Sequence, residues 1–434
     1  MSESWAGRVA EARGITLAPS LRSWFDDALW ARRGVGAFAS ALAPQQLIDL
    51  TDEVVWPGFL PPDLLPIIGN DYGDWLCLRI GLSGDVSEIV YWNHGGGDWI
   101  PFGPNLPEAL LYAASLKSEG EAESSEAGSS ESGSSEAETK EKDGSWPQWA
   151  AEQFAKQGGA KVLPFCEKES KVDALSALIE AGAAQTPVGR DLCLRLLRRP
   201  ALDGVERERA SELGAPWEPE FVRWLFDSAL APNWLREKLF ASGEGEAGAI
   251  EQDWTGAEME ALRIERVRPN LGWPMDLAGW AAERRGDLQQ AIPRYRASLS
   301  ASTFSDESVR FRTLWFSEGF GKFSAARLWE LRDSLTAEEQ ADPYLRLFWE
   351  NDGPTLRQRV SRFWLARAEK AVAKEEWGAA WEHYLRAGWD VGMPRRSDYL
   401  EVLRGLHLAA EKLGATALAR LTAIHLQLLE TRIA

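Results

Sequence analysis

Cysteine and histidine are scarce, with three and four residues in a chain of 434. Cys77, Cys166 and Cys193 are widely spaced, no two have metal-ligand spacing, and an odd number cannot form a complete disulfide framework. They read as small buried hydrophobes in a reducing compartment. His94, His383, His407 and His425 fall on separate segments, with neither Glu-Xaa-Xaa-His nor His-Glu-Xaa-Xaa-His spacing, so no metal site is expected. No apolar run approaches a membrane span, and the opening Met-Ser-Glu-Ser-Trp-Ala-Gly-Arg lacks an apolar h-region. A cytoplasmic protein is therefore expected. There is no Gly-Lys-Ser/Thr phosphate loop, no Gly-Xaa-Ser-Xaa-Gly elbow and no Gly-Xaa-Gly-Xaa-Xaa-Gly after a strand. The run Gly95-Gly96-Gly97 sits between two predicted strands, not at a helix N-terminus, so it is no phosphate cradle. Neither a cofactor nor a catalytic residue is expected.

Lysine is absent from residues 1–116, which carry fourteen Asp and Glu against six Arg, a net of −8. Residues 117–145 add nine acids against three Lys, so most of the formal charge of −18 lies in the first third. Such a module repels phosphate backbones, which argues against nucleic acid and suits a basic partner. Tryptophan is in excess, at 22 residues. Each ring buries a large apolar area, so most are expected in cores, with a few left as interface anchors.

Residues 65–112 are the most informative stretch. Leu76, Leu78 and Ile80 alternate with Trp75, Cys77 and Arg79, as a half-buried strand requires. Gly81–Asp85 supplies a turn, and residues 89–92 a second strand. Residues 99–102 form a third, which Pro101 confines to an edge. Asn105 then caps a short apolar helix with Pro107 in its first turn. Helices are expected over 5–12 and 20–33, and Val54 to Pro66, with four prolines, reads as an extended approach.

The ordered set Leu65-Pro66, Gly73-Asp74, Leu76-Cys77-Leu78, Val90-Tyr91-Trp92-Asn93-His94 and the final helix resembles the SUKH superfamily. That superfamily contains the Smi/Knr-type cell-wall regulators and many bacterial toxin-immunity proteins. The likeness is close over about fifty residues and loose over about a quarter of the chain. Arg79 and Asn93 stand where acidic residues would be expected. The resemblance implies an α+β binding module without catalytic activity.

Asn70, Asp71, Asp74, Asp85, His94 and Asp98 are the one concentrated polar cluster. A carboxylate–His group suits metal or acid–base work, but Asp and Asn beside Gly are also what tight turns demand, and turn chemistry is the preferred reading. The expected partner-binding residues are Trp75, Trp92, His94, Asp98 and Trp99.

Residues 117–145 hold Ser, Glu, Ala and Gly without one aromatic, Leu, Ile or Val, so they are expected to be a disordered spacer. Residues 146–434 read as helix almost throughout. Thr255-Xaa-Xaa-Glu258 and Thr336-Xaa-Xaa-Glu339 have capping-box spacing. Residues 276–299 echo 364–387, Ala291 with Ala380 and Tyr295 with Tyr384, in the manner of tetratricopeptide hairpins. The offset of 89 residues makes the array irregular.

The expected architecture is thus multidomain: an α+β SUKH-like module (1–116) with a small antiparallel sheet, an acidic linker (117–145), and an all-helical, solenoid-like domain (146–434). The leading functional expectation is an immunity protein that neutralises a toxin. The alternative is an intracellular regulatory scaffold whose two domains bind two proteins. An enzyme in the helical half would need two placed carboxylates, and no pair of Glu stands out. Limited proteolysis of the full chain is expected to cut first within 117–145. A first cut elsewhere, seen by mass spectrometry, would remove the spacer assignment.

Overall fold

The computed structural model describes residues 4–32, 34, 38, 40–49, 60–70, 72–94, 97, 99–115, 146–156, 258, 261–262, 265–266, 269–270, 272–305, 321–350 and 355–433. The expected spacer 117–145, Asp71, Asp98, Cys166, Cys193 and Thr255 lie outside the described residues.

In the N-terminal unit, Ser4 starts helix α1 (Trp5–Arg13) by accepting the Gly7 N–H. Helix α2 (Pro19–Asp26) buries Leu21, Trp24 and Phe25. It ends well short of the expected residue 33, because Ala28 turns left-handed and Leu29–Ala31 tightens into a 3-10 turn. Strand β1 (Ser40–Ala41), helix α3 (Pro44–Asp49), strands β2 (Leu64–Gly69), β3 (Trp75–Ile80), β4 (Val86–Trp92) and β5 (Trp99–Gly103), and helix α4 (Leu106–Ser115) follow. The five strands form one antiparallel sheet in sequence order. β5 with Pro101 is an edge strand, as expected. Asn105 accepts the Glu108 N–H at 3.0 Å, the expected cap of α4. The expected extended approach, Val54 to Pro66, runs at its end into β2, which starts at Leu64. The ladder tolerates that proline through a register shift between Pro66 and Ile68.

β3 is not half-buried. Leu76, Cys77 and Leu78 are all fully buried, so both faces of this central strand are covered. Trp75, Trp92 and Trp99 stand opposite one another across β3, β4 and β5, and so share a face. Helix α5 (Trp146–Lys156) packs on α4, with Trp146 edge-on to Trp24 at 5.1 Å and its indole N–H donated to the Leu29 carbonyl at 2.8 Å. This helix therefore belongs spatially with the N-terminal unit.

The helical unit comprises α6 (Trp273–Arg284), α7 (Leu288–Leu299), α8 (Phe323–Glu330), α9 (Ala337–Gln340), α10 (Pro343–Trp349), α11 (Leu356–Ala373), α12 (Trp377–Trp389), α13 (Tyr399–Leu413) and α14 (Thr416–Ile433). Sequential helices pack as hairpins: α6 with α7, α11 with α12, α12 with α13, and α13 with α14. Thr336 and Glu339 form the expected capping box, and Thr355 with Gln358 forms another. Gly279 allows α7 to approach, since a Cβ there would lie 2.7 Å from the Tyr295 ring.

A buried cation ties these hairpins together. The Lys322 ammonium contacts Asp390 Oδ1 at 2.6 Å and donates to the carbonyls of Leu299 and Ala301 at 2.8 and 2.7 Å. Asp390 also accepts from the Tyr344 hydroxyl and, at 2.7 Å, from the Trp364 indole. Burial pulls the Lys322 pKa down, and Asp390 beside it acts to keep the proton. Nearby, burial pushes the Asp276 carboxyl up to about 8, against the pull of Ser298 and Lys322.

The two units touch. Gly84 has φ 83°, and a Cβ there would meet the Gly14 carbonyl at 2.9 Å. Ala417 of α14 packs against both glycines, and Arg420 donates to the carbonyls of Glu11 and Ala12. At the sheet, Trp99 stacks on Phe304 with centroids 6.0 Å apart and planes 15° apart.

Replacing Lys322 by Met would strand the Asp390 carboxylate in the core, which costs about 3–5 kcal/mol. Urea unfolding of the full chain is expected to show that loss. A variant within about 1 kcal/mol of wild type would mean that the pair does not hold the hairpins.

Candidate functional site

The polar cluster singled out in the sequence divides between the two ends of the sheet. At one end, Asn70 closes the β2–β3 turn: its Oδ1 accepts the N–H groups of Tyr72 and Asp74 at 3.0 and 2.9 Å. Its Nδ2 donates to Asp74 Oδ2 at 3.0 Å. Asp74 is buried and takes three further bonds, from the Tyr91 hydroxyl at 2.8 Å, the His94 backbone N–H at 3.0 Å, and His94 Nδ1 at 2.7 Å. Burial acts to raise the Asp74 pKa, but the bonds from Asn70, His94 and Tyr91 outweigh it and the carboxyl is held below its usual range. The result is a rigid turn whose tip, Tyr72, is 76% exposed, the most open of the large hydrophobic side chains described. His94, with its side chain 42% exposed, lies beside it through Gly73.

At the other end, Asp85 accepts from the Ser83 hydroxyl at 2.9 Å, and Thr16 donates its N–H to the Gly84 carbonyl. Arg79 lies between Glu88, at 2.7 Å, and Asp63, at 3.5 Å. Burial pushes the Asp63 carboxyl up, against the pull of Arg79.

Of the five residues expected to bind a partner, the four that are described do not form one exposed patch. Trp92 is fully buried and Trp99 is 8% exposed under Phe304, with the Arg79 guanidinium 5.5 Å from its ring. In this conformation neither ring is a surface anchor, a correction with a simple cause. They share a sheet face, and Phe304 of the helical unit stacks on it at Trp99. Trp75 is half-buried on the same face, with its ring over Gly69. His94 is accessible, and Asp98 is outside the described residues. Tyr72 is not among the expected residues: the sequence Asn70-Asp71-Tyr72-Gly73-Asp74 reads as turn chemistry, and the exposure of its aromatic shows only in the structure.

Asp74 and His94 form a carboxylate–imidazole pair, and no Ser, Thr or Cys is hydrogen-bonded to that imidazole among the described residues. No group of three or more His, Cys, Asp or Glu among the described residues could hold a metal ion. Likewise, no described helix is long and apolar enough to cross a membrane. No protein-family model, curated protein or solved structure matches the chain.

Because the folded state lowers the Asp74 pKa, its contribution to stability is complete above the unfolded value, near about 4, and is lost as pH falls through the folded value. Asp74→Ala is expected to cost about 1–3 kcal/mol at neutral pH. It should also flatten the acid limb of the stability profile, measured by denaturant unfolding between neutral pH and about pH 3. An acid limb as steep as wild type would show that other carboxylates carry it.

Proposed function

We propose that the protein is a non-catalytic, SUKH-type binding protein that neutralises a toxin, and that the turn end bearing Tyr72 is its contact face. His94 stands beside this turn through its bonds to Asp74. The observation that carries this reading is the pairing of an open aromatic with a turn already fixed by Asn70 and Asp74. An aromatic held in advance loses little conformational freedom on binding, which is the character of interface hot spots. Asp74 spends its hydrogen-bonding capacity on the turn, which supports a positioning role over acid–base work. The net charge of −8 over residues 1–116 supports a basic partner and fast, salt-sensitive association.

A second reading is a regulatory scaffold. It is favoured by the stacking of Phe304 on Trp99, which sets the helical unit against the sheet, so that partners of the two units would be held in fixed relation.

A photo-crosslinking residue at position 72 should trap the partner in the native cell. For that partner, Tyr72→Ala is expected to raise the dissociation rate roughly 30-fold, equivalent to about 2 kcal/mol, without changing the melting temperature. The partner should be toxic when expressed alone, with growth restored by wild type and not by Tyr72→Ala. A harmless partner bound through Tyr72 would select the scaffold, and unaltered binding by Tyr72→Ala would remove this face from the proposal.

A further inference from the structure

Arginines of the helical unit commonly face a carboxylate: Arg285 and Arg294 meet Glu258, Arg327 meets Glu283, Arg346 meets Glu350, and Arg404 meets Glu430. Arg367 on α11 and Arg386 on α12 meet none among the described residues. Both sit instead on the Trp364 ring, their guanidinium carbons 5.6 and 4.5 Å from its centroid. Arg367 also lies 4.5 Å from the Phe363 centroid, and Arg386 donates to the Ser300 carbonyl. His383 stacks on the same indole at 5.5 Å and 29°, and its Nδ1 is buried with no hydrogen-bond partner.

The carboxylate that bonds this indole is already committed. Asp390 takes the Trp364 indole N–H, the Tyr344 hydroxyl and the Lys322 ammonium. Asp390 is thereby spent on Lys322, while Arg367 and Arg386 both act on His383. Glu382, which acts on His383 from α12, is exposed. In a chain of net charge −18 this is, among the described residues, a local excess of positive charge beside an imidazole nitrogen without a hydrogen-bond partner.

We propose that Arg367, Arg386 and His383 form a binding site for a small oxyanion of the phosphate class. A guanidinium stacked on an aromatic face keeps its N–H edge for an acceptor, and that edge matches phosphate oxygens. The ligand is small because Trp364 is itself buried and offers no face to a base or a peptide side chain. An acidic macromolecule is disfavoured by the negative field of the whole protein. A small ion feels mainly the charges within a Debye length, about 8 Å at physiological salt. Burial and the two guanidinium groups hold the His383 imidazole below its usual range, and a bound dianion would oppose the second effect.

The probe is inorganic phosphate, titrated into the full chain at constant ionic strength with chloride as the balance. A saturable rise in melting temperature is expected below roughly 10 mM, with the His383 ring resonances titrating at higher pH when phosphate is bound. Arg367→Gln and Arg386→Gln should each weaken binding about tenfold or more, whereas Arg404→Gln should not. Arg386→Gln also removes a contact with Trp364, so the more exposed Arg367 decides if that variant melts early. Glycerol phosphate binding more tightly than phosphate would assign the source as an esterified metabolite; equal binding would assign the free ion. No saturable response, an equal response in Arg367→Gln, or binding of an acidic peptide in place of phosphate would overturn the site.

Discussion

An ammonium group placed beyond the reach of water sets the geometry of the helical unit. Lys322 is nearly inaccessible, and its charge is bearable only while Asp390, two carbonyls at the end of α7 and the Tyr344 hydroxyl surround it. Those partners come from three separate stretches of chain, so the requirement to satisfy one cation fixes the ends of α7 and α12 against the start of α10. Thr303 adds to the constraint by donating both its N–H and its hydroxyl to the Asp390 carbonyl at 2.9 Å. The same short segment carries Phe304, which reaches the sheet. The polar hub of one unit thus positions the aromatic that covers the other.

That covering changes what the tryptophans of the sheet do. Cross-strand rows of aromatics are good sheet stabilisers, and they also resemble interface anchors. Composition cannot distinguish the two uses, because the difference lies in what sits above the face. Here Phe304 and Arg79 lie against Trp99, and the most exposed aromatic among the described residues is Tyr72 at the turn.

What was legible in the sequence follows the range of the interactions involved. The strands β3, β4 and β5, the edge position of Pro101, the Asn105 cap and the Thr336 capping box depend on neighbours within a few residues, and all stand where the pattern placed them. β2 was hidden because Pro66 breaks local rules and is accommodated by a bulge set by its partner strand. The early end of α2 turns on a left-handed Ala28, a conformation that alanine does not announce. Contacts with large sequence separation were not legible at all: Trp146 on Trp24, Trp99 on Phe304, and Lys322 with Asp390. Alternation set Trp75 apart from Leu76 and Leu78, but it could not say that the register would align Trp75 with Trp92 and Trp99, or that another part of the chain would reach that face.

The two ends of β3 stand in opposite circumstances. Gly84 at one end is wedged between Gly14 and Ala417, while Tyr72 at the other projects from a turn secured, among the described residues, by its own side chains, Tyr91 and His94. Lengthening the chain at the wedged end must force apart two elements that are distant in sequence, whereas the Tyr72 end has no such clamp. As relatives of this chain diverge, loop-length variation should therefore collect around residues 71–74 and be nearly absent from 82–85, giving the sheet one changeable rim and one fixed rim.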